Sequence, residues 1–348
     1  MQKKKANNIK KIIVAIILIL VICASSIAFI VYQRFLVPNV TSEQTYLYIP
    51  TGSDFEDLME NLGENKILKD TAKFRWAAKK KDYPTRVKAG KYKLVEGTNN
   101  RTLLNILAAG LQEPVKLRFQ NIRLKKDFAG FLSTKLEPDS TSFINLLNND
   151  SLAQTYGFNQ ENFFTMFIPN TYEFFWNTSA EDFLDRMHKE YTTFWNDERI
   201  SKAKALNLTP IEVSNLAAIV KGEALHVDEM PKIAGLYINR LQKGMLLQAD
   251  PTVIFATQDF SIRRVLNKHL RTDSPYNTYV YRGLPPGPIM MPSIAAIDAV
   301  LNYESHSYIY MCAKDDFSGY HLFANTMAEH LVNARKFQKA LDARNIKR

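Results

Sequence analysis

The sequence predicts an α+β protein: one N-terminal transmembrane helix, then a small α+β module, then a larger mixed α+β domain. Three observations carry this. Ile12 to Tyr32 is a run of 21 residues without a charge, enough to cross a bilayer as one helix. Between residues 45 and 115 the apolar pattern alternates between strand and helix periods. From 116 to 345 it is mainly helical, with short β-prone runs between. The organisation expected is therefore a tail at 1–11, an anchor at 12–32, a module at 45–115 and a main domain at 116–345.

Lys3, Lys4, Lys5, Lys10 and Lys11 precede the apolar run, and the fifteen positions after it hold only Arg34 and Glu43 as charges. The positive-inside rule then leaves the N-terminus in the cytoplasm and the bulk of the chain outside. A signal peptide cleaved near Ala24 and Ser26 competes, but the apolar run continues through Ile27–Tyr32, which suits an uncleaved anchor. A lipoprotein reading through Cys23 lacks small residues in Leu20-Val21-Ile22. Of the net charge of +10, five units are the tail lysines, and the remaining +5 is only mildly basic. With the large domain outside, nucleic acid is a poor partner. Two cysteines, Cys23 and Cys312, make neither a disulfide framework nor a zinc site; both read as small buried hydrophobes.

Pro38 to Gln44 reads as a short polar tether. Tyr46–Pro50 suggests a strand, Ser53 a cap for a helix bearing Phe55, Leu58, Met59 and Leu62, and Thr71–Lys80 a second helix. Val87–Leu94 alternates as a strand does, and a helix over Thr102–Ala109 stops at Gly110. This strand–helix–helix–strand outline resembles the LysM modules that bind glycan. Val115–Phe119 starts a further strand, with helices near 125–136, 142–148 and 181–195, and Leu132, Leu136 and the Phe163–Phe167 run as core. The segment 196–203 is a surface helix or loop.

Thr209-Pro210-Ile211-Glu212 is a strong helix start: a capping threonine, proline at the first helical position and a glutamate completing a capping box. In the helix that follows, Leu216, Ile219, Val220 and Glu223 share one face. A carboxyl ends that apolar stripe. Held against apolar walls it loses hydration, which raises its pKa and suits a general acid; it could instead reach solvent or pair with a base. Asp228–Pro231 starts another helix through Ile233, Leu236 and Tyr237, which Gly244 stops, and Gln248–Ile254 leads into an apolar segment through a proline bend. The six histidines form no His-Glu-x-x-His cluster, and no Gly-x-Ser-x-Gly elbow is present. No metal and no cofactor is expected, and His321 and His330 read as hydrogen-bonded structural residues.

Several blocks together resemble the YceG/MltG family of endolytic transglycosylases. They are Ile168–Phe174, Ala217–Glu223, Ile238–Leu241, Gly244–Ile254, Ser274–Tyr279, Gly283–Ile289 and His321–Ala324 with His330, in order from about residue 45 to 335. The family's acidic block reads Ile-Val-Glu-Lys-Glu; here Lys221 and Gly222 replace its first glutamate and lysine, while the final glutamate is Glu223. Family members also carry Phe/Trp-Pro-Asp-Thr-Tyr where this chain has Ile168-Pro169-Asn170-Thr171-Tyr172. Lys221 would lower the pKa of Glu223 if the two approached.

The resemblance implies a carbon–oxygen lyase of the bacterial cytoplasmic membrane that terminates glycan elongation. Glu223 would protonate the oxygen leaving from a MurNAc–GlcNAc bond. It would then act as base while the sugar's own C6 hydroxyl closes a 1,6-anhydro ring, so no second carboxylate is demanded. Gln248, Asp250, Tyr276, Asn277 and Thr278 are the candidate substrate-binding residues, with Asp250 equally a cap or turn former. Peptidoglycan strands are the implied partner, and the membrane's peptidoglycan synthases (penicillin-binding proteins) are candidate protein partners. Two other classes stay open: a hydrolase using Glu223 with Asp250, and a glycan-binding scaffold without catalysis.

Overall fold

The computed structural model describes residues 2–41 and 46–344. The chain divides into two compact units, one of residues 1–115 with 173–178 and one of 116–172 with 179–348.

The first unit opens with α1 (Gln2–Phe35), whose segment Asn7–Phe35 is long and apolar enough to cross a membrane; its residues 7–32 are exposed, and its last turn meets the rest of the unit. At 1.5 Å per residue the uncharged stretch spans about 31 Å, the thickness of a bilayer's hydrocarbon core. Cys23 is exposed on this helix, not buried as its apolar surroundings suggested. Beyond α1 come β1 (Tyr46–Ile49), α2 (Phe55–Glu64), α3 (Thr71–Lys80), β2 (Gly90–Lys93) and α4 (Asn100–Ala109). β1 and β2 pair antiparallel, Tyr46 opposite Lys93 and Ile49 opposite Gly90. Leu47, Leu58, Leu62, Phe74, Tyr92, Leu104 and Leu107 close their core. The cap of α2 is Asp54 rather than Ser53: its carboxylate accepts from the Glu56 and Asp57 amides, and Asp57 returns the bond in a capping box. Gly110 stops α4 at φ +74, a left-handed conformation that glycine adopts without steric cost.

The expected tether is not one over its described part. Asn39 and Val40 are 3% and 1% exposed. The Asn39 amide nitrogen donates to Asp70 O (2.9 Å) and to Asn100 Oδ1 (2.8 Å), and its Oδ1 accepts from the Asp70 amide (2.9 Å). Asn100, 1% exposed, donates in turn to Arg34 O at the end of α1 (2.8 Å). Phe35 meets Trp76 edge-on at 5.7 Å, and the Arg34 guanidinium lies 4.5 Å from the same ring. The rest of the predicted tether, 42–44, lies outside the described residues.

The second unit takes in β3 (Val115–Arg118) after its first residue, α5 (Lys125–Ser133), α6 (Ser140–Leu147), α7 (Asp150–Thr155), the first two residues of β4 (Thr171–Phe174), α8 (Ala180–Phe194) and α9 (Asp197–Ala205). Phe128, Phe143, Phe163, Phe167 and Phe183 form an aromatic cluster here, with Phe128 and Phe167 centred 4.9 Å apart. Then follow α10 (Pro210–Glu223), α11 (Met230–Gln242), α12 (Asp250–Thr257), α13 (Ile294–Leu301), β5 (Tyr310–Ala313), β6 (His321–Ala324) and α14 (Met327–Ala343). A second core of the unit surrounds α10, whose residues Val213 to Val220 are all buried. The single apolar stripe expected of this helix is therefore incomplete: α11, α12 and α13 pack around it. β5 and β6 pair antiparallel, with Ala313 opposite His321.

Candidate active site

The start of α10 follows its sequence signal. Thr209 caps, the Glu212 carboxylate accepts from the Thr209 amide (2.8 Å), and Pro210 stands at the first helical position. At the other end Ala224 turns to extended backbone, so Glu223 is the last helical residue. It emerges from the core into a cleft of about 290 Å³ lined by Tyr237, Arg240, Gln248, Asp250, Tyr279 and His321 among others.

The Glu223 carboxyl is packed deeply enough for desolvation to push its pKa up to about 7, and the charge of Asp250 adds to the rise. Three contacts oppose it: the Tyr237 hydroxyl, which donates to Oε1 at 3.0 Å, the Asp250 amide, and the charge of Arg240. Burial outweighs them, so near neutrality a large fraction of Glu223 holds its proton. Tyr237 is 1% exposed, and burial holds its phenol well above the usual range, so it remains a donor. Lys221 neither lines the cleft nor figures among the charges that shift Glu223. Two residues along a helix turn it by about 200°, which points Lys221 elsewhere. Gly222 matters sterically: a Cβ there would stand 2.8 Å from the Pro251 Cβ, so glycine lets the first turn of α12 lie against the last turn of α10.

That first turn is held by a polar bracket. Thr278 O accepts from the Gln248 amide (3.1 Å), and Thr278 Oγ1 accepts from the Ala249 amide (3.0 Å) and meets Thr252 Oγ1 at 2.8 Å. Gln248 takes a left-handed φ of +53 within it. Asn277 donates to Leu270 O (3.0 Å) and Thr272 O (2.8 Å) and accepts from the Tyr279 amide (3.0 Å). Asn277 and Thr278 are 0% and 1% exposed, which takes them out of the cleft. Their hydrogen-bonding groups are engaged within the protein, where they hold the turn beside the site. Tyr276 lies on another cavity, its ring 4.7 Å from Phe255. Of the five candidate binding residues, Gln248 and Asp250 share the cleft with Glu223.

Four further groups complete the site. Tyr279 donates to Asp250 Oδ1 at 2.7 Å. Arg240, 6% exposed, donates to Ile309 O (2.6 Å), Leu246 O (3.1 Å), Leu247 O (2.8 Å) and Gln248 Oε1 (3.2 Å), and so fixes the strand of chain leading to Asp250. Tyr237 stands three residues before Arg240 on α11 and so on the same face; that spacing, an arginine within an otherwise apolar face, was the available signal. Glu229, 6% exposed, accepts from the His321 amide (2.7 Å) and meets His321 Nδ1 at 2.8 Å, placing the imidazole at the cleft wall. His330 makes no hydrogen bond through its buried Nδ1 and instead stacks on Tyr310 at 5.4 Å. Cys312, on β5, is half-buried and lines the cleft, because its strand forms the wall.

The arrangement defines a class: a protein with one deep carboxyl protonated near neutrality, a second carboxyl beside it, and donors fixed around both, suited to general acid–base chemistry. Residues 47–336 match the YceG-like family, and the chain belongs to it. It is 28% identical over 312 residues to the endolytic murein transglycosylase of Bacillus subtilis (strain 168), covering 83% of each chain. It is also 28% identical over 322 residues to the endolytic murein transglycosylase of Streptococcus pneumoniae serotype 2 (strain D39 / NCTC 7466), covering 81% of this chain and 56% of that protein. A crystal structure of a YceG-like protein from Listeria monocytogenes shares the fold, with a TM-score of 0.56, 24% identity, and coverage of 82% of this chain and 97% of that one.

Proposed function

We propose that this protein is a membrane-anchored endolytic murein transglycosylase that cuts glycan strands through Glu223 and leaves 1,6-anhydro-MurNAc ends. The observation that carries the reading is the carboxyl of Glu223, raised to about 7 at the floor of a cleft, in a chain whose relatives bear that activity as their name. Protonated, Glu223 gives its proton to the leaving glycosidic oxygen; ionised, it accepts the proton of the C6 hydroxyl that closes the anhydro ring. Tyr237 and the Asp250 amide bond the ionised form, so the base is steadied between the two steps. Asp250 and Gln248, whose side chains line the cleft, would bind the sugars.

The test is digestion of uncross-linked glycan strands, with the new ends identified by mass spectrometry. Anhydro ends support the reading. One feature favours a second reading, hydrolysis with Asp250 as partner, because Asp250 shares the cleft and is held by Tyr279. Reducing ends would establish that reading in place of the first. In either case the acid must be protonated, so kcat/KM should fall about tenfold per pH unit once the pH rises past about 7. A profile flat to pH 9 would remove Glu223 from the acid's role.

The anchor sets the location. Five lysines before the apolar segment orient the N-terminus to the cytoplasm, with the cleft outside, the small module of 45–115 holding glycan in the manner of LysM, and membrane-bound peptidoglycan synthases within reach as partners. The full-length protein should pellet with membranes and, once solubilised, sediment with sacculi. A reporter that works only in the cytoplasm should be silent when fused after Arg348; an active one would reverse the topology.

A further inference from the structure

The second unit holds another cavity, of about 400 Å³, that the reaction at Glu223 does not use. Arg123, Lys125 and Lys126 line it beside the rings of Phe255 and Tyr276, against one carboxylate, Glu161. Lys125 is half-buried, donates to Gln160 O at 2.7 Å, and has its pKa lowered by that burial. Arg123 and Lys126 are exposed, and the Arg123 guanidinium lies 5.2 Å from the Phe260 ring. The segment carrying these cations is fixed from behind, where the Met291 amide donates to Ile122 O at 2.9 Å.

This cavity adjoins residues that flank the acid. A smaller pocket of about 70 Å³ shares Arg123 and Phe255 with it and is lined by Gly222 and Pro251, the chain neighbours of Glu223 and Asp250. Phe255 follows Asp250 by five residues in α12, about 7–8 Å along the helix axis. A stem peptide of four or five residues reaches about 13–18 Å when extended, long enough to pass from a strand in the cleft round α12 to this positively charged recess. Along a peptidoglycan strand the sugar rings themselves are uncharged, and the free carboxylates sit on the stem peptides hung from alternate sugars. Guanidinium and ammonium groups pair with carboxylates, and the aromatic faces beside them suit the apolar faces of peptide or sugar.

We infer that the recess walled by Arg123, Lys125 and Lys126 binds the carboxylate-bearing stem peptide of the strand held in the cleft, and that the protein thereby selects peptide-bearing over peptide-free glycan. This rests on the transglycosylase reading, and the experiment separates the two. Two substrates are prepared from the same sacculi, uncross-linked strands with their peptides and strands stripped by an amidase, which leaves a lactyl carboxylate against each ring but none at the reach of a peptide. The full-length protein in detergent is assayed on both for new anhydro ends. The wild type should cut the peptide-bearing strands with a kcat/KM about tenfold higher, the loss expected of one charge-assisted contact. The variant R123E/K126E should cut both at the rate the wild type shows on stripped strands. Equal wild-type rates on the two substrates, a comparison that needs no variant, would overturn the inference while leaving the transglycosylase reading intact. So would a variant that loses both rates in proportion. Failure of the wild type to cut either substrate would sink the parent reading, and this inference with it.

Discussion

Glu223→Gln should lower the production of new glycan ends by about 10²–10⁴-fold, the usual cost of losing a general acid, while binding to sacculi survives. The amide keeps the shape and can still accept from Tyr237, but it carries no proton to give. The same substitution should stabilise the protein in a pH-dependent way. Wild-type Glu223 titrates at about 7 in the folded chain against an ordinary 4.5. Between those values the folded state holds a proton that the unfolded state has released, so wild-type stability falls as pH rises through that window. Glutamine has no proton to lose, and its advantage should grow from near zero below pH 4.5 to on the order of 3 kcal/mol above pH 7. Urea unfolding of both proteins at pH 5 and pH 8 reads this directly. A variant that keeps more than about a tenth of the activity would move the acid's role to Asp250. A stability difference independent of pH would mean that the carboxyl is not buried in its charged form.

Arg240→Ala is expected to have the largest effect on stability. The guanidinium serves three backbone carbonyls and the Gln248 amide oxygen in a nearly closed site. Removing it leaves those acceptors without a donor, at a cost of roughly 3 kcal/mol or more. In a unit of this size that corresponds to a fall of about 6–12 °C in the unfolding midpoint. Lysine should recover only part, because one ammonium cannot reproduce the fork that reaches Ile309 and Leu247 together. The chain from Leu246 to Asp250 loosens with it, so the rate should fall along with the melting temperature. An unchanged Tm by calorimetry would show that water replaces the lost donors.

What was legible in the sequence was local. The expected helix over Thr71–Lys80 has its observed bounds, and the capping box at Thr209 and Glu212 announces α10, because a helix start is written in four adjacent residues. Asn39 was read as linker because its partners, Asp70 and Asn100, stand 31 and 61 residues away. Nothing in Pro38-Asn39-Val40 itself distinguishes a solvated stretch from a buried one. In the cleft, Glu223 was singled out by the resemblance and by its helix, whereas Tyr237, Arg240 and Tyr279 take their roles from partners in other elements. In the sequence, Asn277 and Thr278 look like available polar side chains in a turn; the backbone groups that engage them become visible only once 248–252 and 270–272 are folded against them.

The clasp between Arg34, Asn100 and Asn39 changes what the anchor can do. Seven residues of free chain would let the small module roam through a hemisphere of about 25 Å radius. Fastened instead to the last turn of α1, the module would stand at a set height above a bilayer that α1 crosses and turn only as the helix tilts or spins. For a module that holds glycan, this works as a ruler rather than a leash: strands would be met at one distance from the membrane from which they grow.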